Sequence, residues 1–116
     1  VSEVLGLTVP NSAMVPGVYA ERSAIAQRAG EIVMDILKRG GPLPRDLVTR
    51  KSIENGCAIV AATGGSTNAA LHLPAIANEA GIAFTVDDVE AVFARTPLIG
   101  DLRPGGRFLA KDVHDI

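Results

Sequence analysis

The chain has 116 residues, 47% of them hydrophobic but only 3% aromatic and none of them tryptophan, so its core must be aliphatic and rich in alanine, on the scale of one domain or a part of one. Its 11 Lys and Arg are interspersed with 13 Asp and Glu for a net charge of −2, which excludes a basic stripe for nucleic acid. A single cysteine, Cys57, excludes an internal disulfide framework, and no apolar run approaches the ~18 residues of a membrane span. A protein of the cytoplasm, with neither nucleic acid nor membrane as a partner, is expected.

Val1–Leu5 reads as the last turns of a helix ended by Gly6 at its C-cap. Thr8 to Gly17 carries Pro10, Asn11, Ser12 and Pro16 and reads as a loop. A long helix is expected from about Val18 to Lys38, with Ile25, Ala29, Ile32, Val33, Ile36 and Leu37 as one buried stripe. Lys38-Arg39-Gly40-Gly41 is its stop, and Pro42 to Asp46 is a stiff connector.

Thr49 is the expected N-cap of a second helix over about Arg50–Thr63, with Ile53, Cys57, Val60 and Ala61 facing inward. Gly64-Gly65 breaks it. Ser66 is expected to start a third helix, kinked at Pro74 and closed near Ala80 by Gly81. After an extended Ile82-Ala83-Phe84, Thr85 and Asp88 form a capping box for a helix from Val86 to about Arg95. The Pro/Gly-rich stretch from Thr96 leads to a strand or edge segment at Arg107–Ala110. The expected fold class is α/β: four or five helices with little strand. Neither end of the chain has the look of a natural terminus, so an internal piece of a longer protein is expected.

Chemistry concentrates in Thr63-Gly64-Gly65-Ser66-Thr67-Asn68, followed by an apolar helix bearing His72. Glycine lets the backbone turn without a Cβ penalty, while Ser, Thr and Asn offer cap oxygens above a helix N-terminus that attracts anions. The residues alone support two readings: a capped turn that binds nothing, or a loop whose amides face an anion. The P-loop spacing with its lysine is missing. His72 reads as an interior histidine or a site residue, His114 between Asp112 and Asp115 as a solvated loop residue or a metal corner, and Cys57 as a small buried hydrophobe. Arg103-Pro104-Gly105-Gly106-Arg107 reads as an anion grip or an ordinary turn. No complete catalytic constellation lies within the chain.

The run Glu54 to Ala77, centred on Gly64-Gly65-Ser66-Thr67-Asn68-x-x-x-His72, resembles the core signature of the dihydroxy-acid dehydratase and phosphogluconate dehydratase family. Glu3 to Ala13, Leu102 to Phe108 and Asp112 to Ile116 resemble other segments of that family in the same order. The resemblance covers essentially the whole chain. It implies a single incomplete segment, residues 1–116, of the amino-terminal domain, within a larger three-layer α/β/α architecture.

It implies further a hydro-lyase that converts a 2,3-dihydroxy acid to a 2-keto acid in branched-chain amino-acid synthesis, with an iron–sulfur cluster, Mg²⁺ and a serine base. The residues supplying these lie in other segments, so no catalytic or metal residue and no cofactor is assigned to this one, which is expected to be inactive alone. Gly64, Gly65, Ser66, Thr67, Asn68 and His72 are expected to line the substrate or cluster pocket. The implied partners are a small dihydroxy acid, the rest of the chain and further copies in a homo-oligomer. Three positions depart from the pattern: Asn11 where glycine is usual, Cys57 at a usually small apolar position, and Pro74 in place of an aliphatic residue. A sugar-acid dehydratase acting on arabonate, xylonate or phosphogluconate fits the same residues. So does a non-catalytic helical module that binds an anion or makes subunit contacts.

Overall fold

A computed structural model describes residues 1–116. Its helices are α1 (Glu21–Arg39), α2 (Pro44–Leu47), α3 (Arg50–Thr63), α4 (Ala69–Glu79), α5 (Val86–Arg95) and α6 (Ala110–His114). Six helices thus stand against the four or five expected, and strand is reduced to one isolated parallel bridge, Leu102 to Phe108. The strand expected at Arg107–Ala110 is that bridge, and Ala110 already opens α6, where the Asp112 carboxylate accepts the Leu109 N–H at 2.6 Å. The connector at Pro42–Asp46 likewise winds into a single turn, with Pro44 at its start and Asp46 accepting the Leu43 N–H at 2.8 Å.

α3, α4 and α5 form the core. α3 begins where its cap predicts: the Thr49 hydroxyl accepts the Ser52 N–H at 3.1 Å, and the Ser52 hydroxyl accepts the Thr49 N–H at 2.8 Å. From this helix Ile53 and Cys57 meet Leu73 and Ala77 of α4 and Val89 and Val92 of α5, with Leu5, Val48 and Phe84 closing the cluster. Cys57 is fully buried with its Sγ 3.8 Å from the Val89 carbonyl, and burial pushes its thiol up from the ordinary value. It therefore acts as a small apolar filler, as expected. α4 passes through Pro74 as one helix.

Arg50 fastens α3 to α5. Its guanidinium donates to Asp88 at 2.6 Å, to Glu54 at 3.1 Å and to the Ala83 carbonyl, and it lies over the Phe84 ring. Asp88 also accepts the Thr85 N–H at 2.8 Å as the cap of α5, so one carboxylate serves both helices. That backbone N–H first, and Arg50 second, hold the Asp88 carboxyl below the usual carboxylate range. A lowered carboxyl stabilises the fold fully above its unfolded value of about 3.9, and the contribution disappears as pH falls through the lowered one. Melting midpoints of the full-length protein measured against pH should fall on this acid limb, and Asp88→Asn should flatten that part of the profile. An unchanged limb in the variant would count against the clamp.

The amino-terminal half behaves differently from expectation in two places. Residues 1–6 are turns rather than helix, although they end as a helix ends. Gly6 has φ 79°, with the Leu7 N–H on the Ser2 carbonyl at 2.9 Å and the Gly6 N–H on the Glu3 carbonyl at 3.0 Å. α1 starts at Glu21, not Val18, because the Tyr19 N–H turns back to the Pro16 carbonyl at 3.1 Å. None of its residues is buried: Ile25, Ala29, Ile32 and Ile36 are half-buried, whereas Val33 and Leu37, at 54% and 68% exposed, face outward. Asn11 has φ 64°, so it makes the left-handed turn that glycine would make, and its N–H donates to the Glu3 carboxylate at 2.5 Å.

Candidate functional site

The Gly64-Gly65 pair closes α3. Gly64 takes φ 69°; its N–H donates to the Ala61 carbonyl at 3.4 Å and the Gly65 N–H to the Val60 carbonyl at 2.9 Å, the two bonds of a Schellman cap. Both glycine amides are therefore consumed inside the chain. Of the anion-facing amides suggested by the sequence, these two are not available.

α4 begins at Ala69 rather than at the expected Ser66. The Ser66 hydroxyl accepts the Asn68 N–H at 3.2 Å, a local turn two residues long, instead of capping a helix that starts beside it. Ala69, Ala70 and Leu71 donate to the carbonyls of Ser66, Thr67 and Asn68 at 3.1, 3.0 and 3.1 Å, so the first turn of α4 satisfies its own amides. What remains open are the N–H groups of Ser66 and Thr67, which donate to no group of the chain. Thr67, Asn68 and His72 are exposed and Ser66 is half-buried. The His72 N–H donates to the Asn68 carbonyl at 3.0 Å, and the four-residue spacing puts both side chains on one face of α4. Residues 1–116 thus leave His72 uncovered.

Little in the sequence pattern announces what lies against this loop. The segment 98–106 folds onto the end of α3: the N–H groups of Ile99 and Gly100 both reach the Ala62 carbonyl at 2.7 Å, Leu102 reaches Thr63 at 3.1 Å, and Gly105 reaches Gly64 at 3.1 Å. Arg103-Pro104-Gly105-Gly106-Arg107 is therefore a neighbour of Gly64-Gly65-Ser66. A second pairing of glycines, in a segment otherwise without a stripe or cap, was the available signal.

The other sequence candidates lie apart from this loop. His114 sits on α6 with its Nε2 3.2 Å from Glu21 and its ring edge-on to Tyr19, in a pairing between α6 and the start of α1. Its neighbours Lys111 and Asp115 pair with each other. The chain contains no grouping of three or more His, Cys, Asp or Glu suited to a metal, and its single thiol is enclosed by aliphatic side chains. The residues present therefore do not fit a ligand set for an iron–sulfur cluster or Mg²⁺. The clefts along α1, beside α2 and α4, and around Glu3 are lined by none of Gly64, Gly65, Ser66, Thr67, Asn68 and His72.

The family profile described as dihydroxy-acid/6-phosphogluconate dehydratase, N-terminal, matches residues 1–116. Dihydroxy-acid dehydratase 3 of Bradyrhizobium diazoefficiens is 78% identical over 116 residues, covering 100% of this chain and 20% of that protein. Dihydroxy-acid dehydratase 2 of Bordetella bronchiseptica is 72% identical over 115 residues, 99% of this chain and 20% of that protein. The dihydroxy-acid dehydratase of Pelagibacter ubique is 56% identical over 113 residues, 97% of this chain and 20% of that protein. The chain spans about a fifth of the length of these relatives. It belongs to the dihydroxy-acid/6-phosphogluconate dehydratase family.

Proposed function

We propose that this member of the dihydroxy-acid/6-phosphogluconate dehydratase family is part of a hydro-lyase that removes water from a 2,3-dihydroxy acid to give a 2-keto acid for branched-chain amino-acid synthesis. The carrying observation is 72–78% identity, across the chain, to relatives named dihydroxy-acid dehydratase. In this reading residues 1–116 are one segment of an amino-terminal domain of α/β/α architecture in a cytoplasmic homo-oligomer. The iron–sulfur cluster and Mg²⁺ of the full-length protein are held by other segments, and this one contributes binding and orientation.

Within that reading, Ser66, Thr67, Asn68 and His72 form one wall of the substrate pocket, with Gly64 and Gly65 setting the turn. Three features support it: two amides without acceptors, exposed Thr67 and Asn68, and an exposed histidine on the same helix face as Asn68. Amides and hydroxyls so placed bind an oxygen of the substrate and hold its reacting carbons in register, which is worth most when charge develops on that oxygen. In the full-length protein, Ser66→Ala and His72→Ala should each lower turnover of a branched 2,3-dihydroxy acid by about 100-fold, the lower end of the range for loss of one positioned donor. Normal turnover together with normal iron content in both variants would overturn the assignment of the loop.

A further inference from the structure

The end of α3 has all its carbonyls hydrogen-bonded. A helix leaves its last four C=O groups without intrahelical partners. Here the glycine cap takes Val60 and Ala61, and the segment 98–106 takes Ala62 and Thr63 and, one residue further, Gly64. Capping is complete at Thr63, so the Gly105-to-Gly64 bond holds the site loop rather than the helix.

That contact leaves no room for a side chain at Gly105. A Cβ added to Gly105 would stand 2.7 Å from the Gly64 oxygen, and one added to Gly64 would stand 3.1 Å from the Leu102 oxygen. The segment behind Gly105 is internally locked. The Asp101 carbonyl accepts the N–H groups of Arg107 and Phe108 at 2.9 Å each, and the Gly106 N–H donates to the Leu102 carbonyl at 2.7 Å. The Arg107 guanidinium pairs with the Asp101 carboxylate, and any side chain at Gly106 would overlap Asp101. A locked loop thus presses, through one glycine, on the residue two before Ser66.

We propose that Gly105 is a positioning residue for Ser66, Thr67 and Asn68, acting through the Gly64 carbonyl, with the Asp101–Arg107 pair fixing the loop that carries it. The proposal rests on the reading that Ser66–Asn68 line the substrate pocket. Gly105→Ala forces the Gly105–Gly64 contact apart and so strains the turn that carries Ser66–Asn68, and a displacement of about 1 Å in a positioned group can cost on the order of 100-fold in rate.

The test is a double-mutant cycle on the full-length enzyme: Ser66→Ala, Gly105→Ala and the double variant, with kcat and KM for a branched 2,3-dihydroxy acid and the far-ultraviolet circular dichroism of each. Gly17→Ala, which adds a methyl into open space, serves as the control. Gly105→Ala should lower kcat by about 10–100-fold with its dichroism unchanged. The double variant should lose little more than the worse single one, because both changes act on one group. Losses that multiply, or a Gly105→Ala enzyme with normal kcat, would overturn the positioning role alone. A normal Ser66→Ala enzyme would overturn the assignment of the loop to the site, and the positioning role with it. If Gly105→Ala fails to fold, Arg107→Ala, which unlocks the loop without adding an atom, replaces it in the same cycle with the same criteria.

Discussion

Gly64→Ala should destabilise the protein clearly more than Gly81→Ala, although both glycines close a helix in the same left-handed conformation, at φ 69° and 71°. An L-residue in that region costs about 1–2 kcal/mol, and this part of the penalty is common to both. At Gly81 a Cβ meets nothing within 4 Å, so the conformational cost is all there is. At Gly64 the same atom lands 3.1 Å from the Leu102 oxygen, 3.4 Å from the Gly100 oxygen and 3.5 Å from the Leu98 side chain. Two of these are backbone atoms of residues tied to α3 by their own segment's hydrogen bonds, so they yield only by breaking those bonds. Overpacking of that kind adds about 1–3 kcal/mol. The difference between the two variants, read as the shift in denaturation midpoint of the full-length protein, isolates the contact between the segments. Equal shifts would mean that the segment 98–106 moves away from α3 at no cost.

Much of this fold was legible because helix ends are local chemistry. Thr49, and Thr85 with Asp88, announce α3 and α5 within a few residues of chain, and both helices run as expected, Arg50–Thr63 and Val86–Arg95. The start of α4 was not legible, because a serine before a helix has two uses of similar energy. Ser66 binds the amide two residues on, and the helix begins later. α1 shows the limit of periodicity. Its apolar spacing foretold a helix, but burial depends on what lies across from a stripe, and Val33 and Leu37 point outward.

The site was legible as a place and not as a geometry. Gly64-Gly65 did mark a turn that the backbone must make, yet the amides of the pair go to α3 itself. The contact from Gly105 joins two backbones 41 positions apart, Gly64 and Gly105, and a backbone contact has no side-chain code beyond the glycine that permits it. Arg50 escaped notice for a related reason. Its partners Asp88 and the Ala83 carbonyl lie 38 and 33 residues away, and an exposed arginine on a helix ordinarily signals only solvent.

Ile53→Ala should be a strongly damaging core truncation, at about 2–5 kcal/mol. Ile53 is 0% exposed and sits among Leu73, Val89 and the other residues of the core cluster. Its enclosure is complete within these residues, so the remainder of a longer chain has nothing to add to it and the cost carries over to the full-length protein. The cost has two parts: the transfer free energy of the lost methylene and methyl groups, and a cavity that the neighbours fill only partly. Relaxation is restricted here because Thr49 caps α3 just before Ile53 and Arg50 ties the same turn to Asp88. Ile53→Val should cost about 0.5–1.5 kcal/mol, since it removes one methylene and keeps the branch. Measured as denaturation midpoints, the two variants should fall in that order and several-fold apart. A chain that tolerates alanine at Ile53 as well as valine would show that α3, α4 and α5 can close over the void, and that the core is not the rigid support under Gly64 that its packing describes.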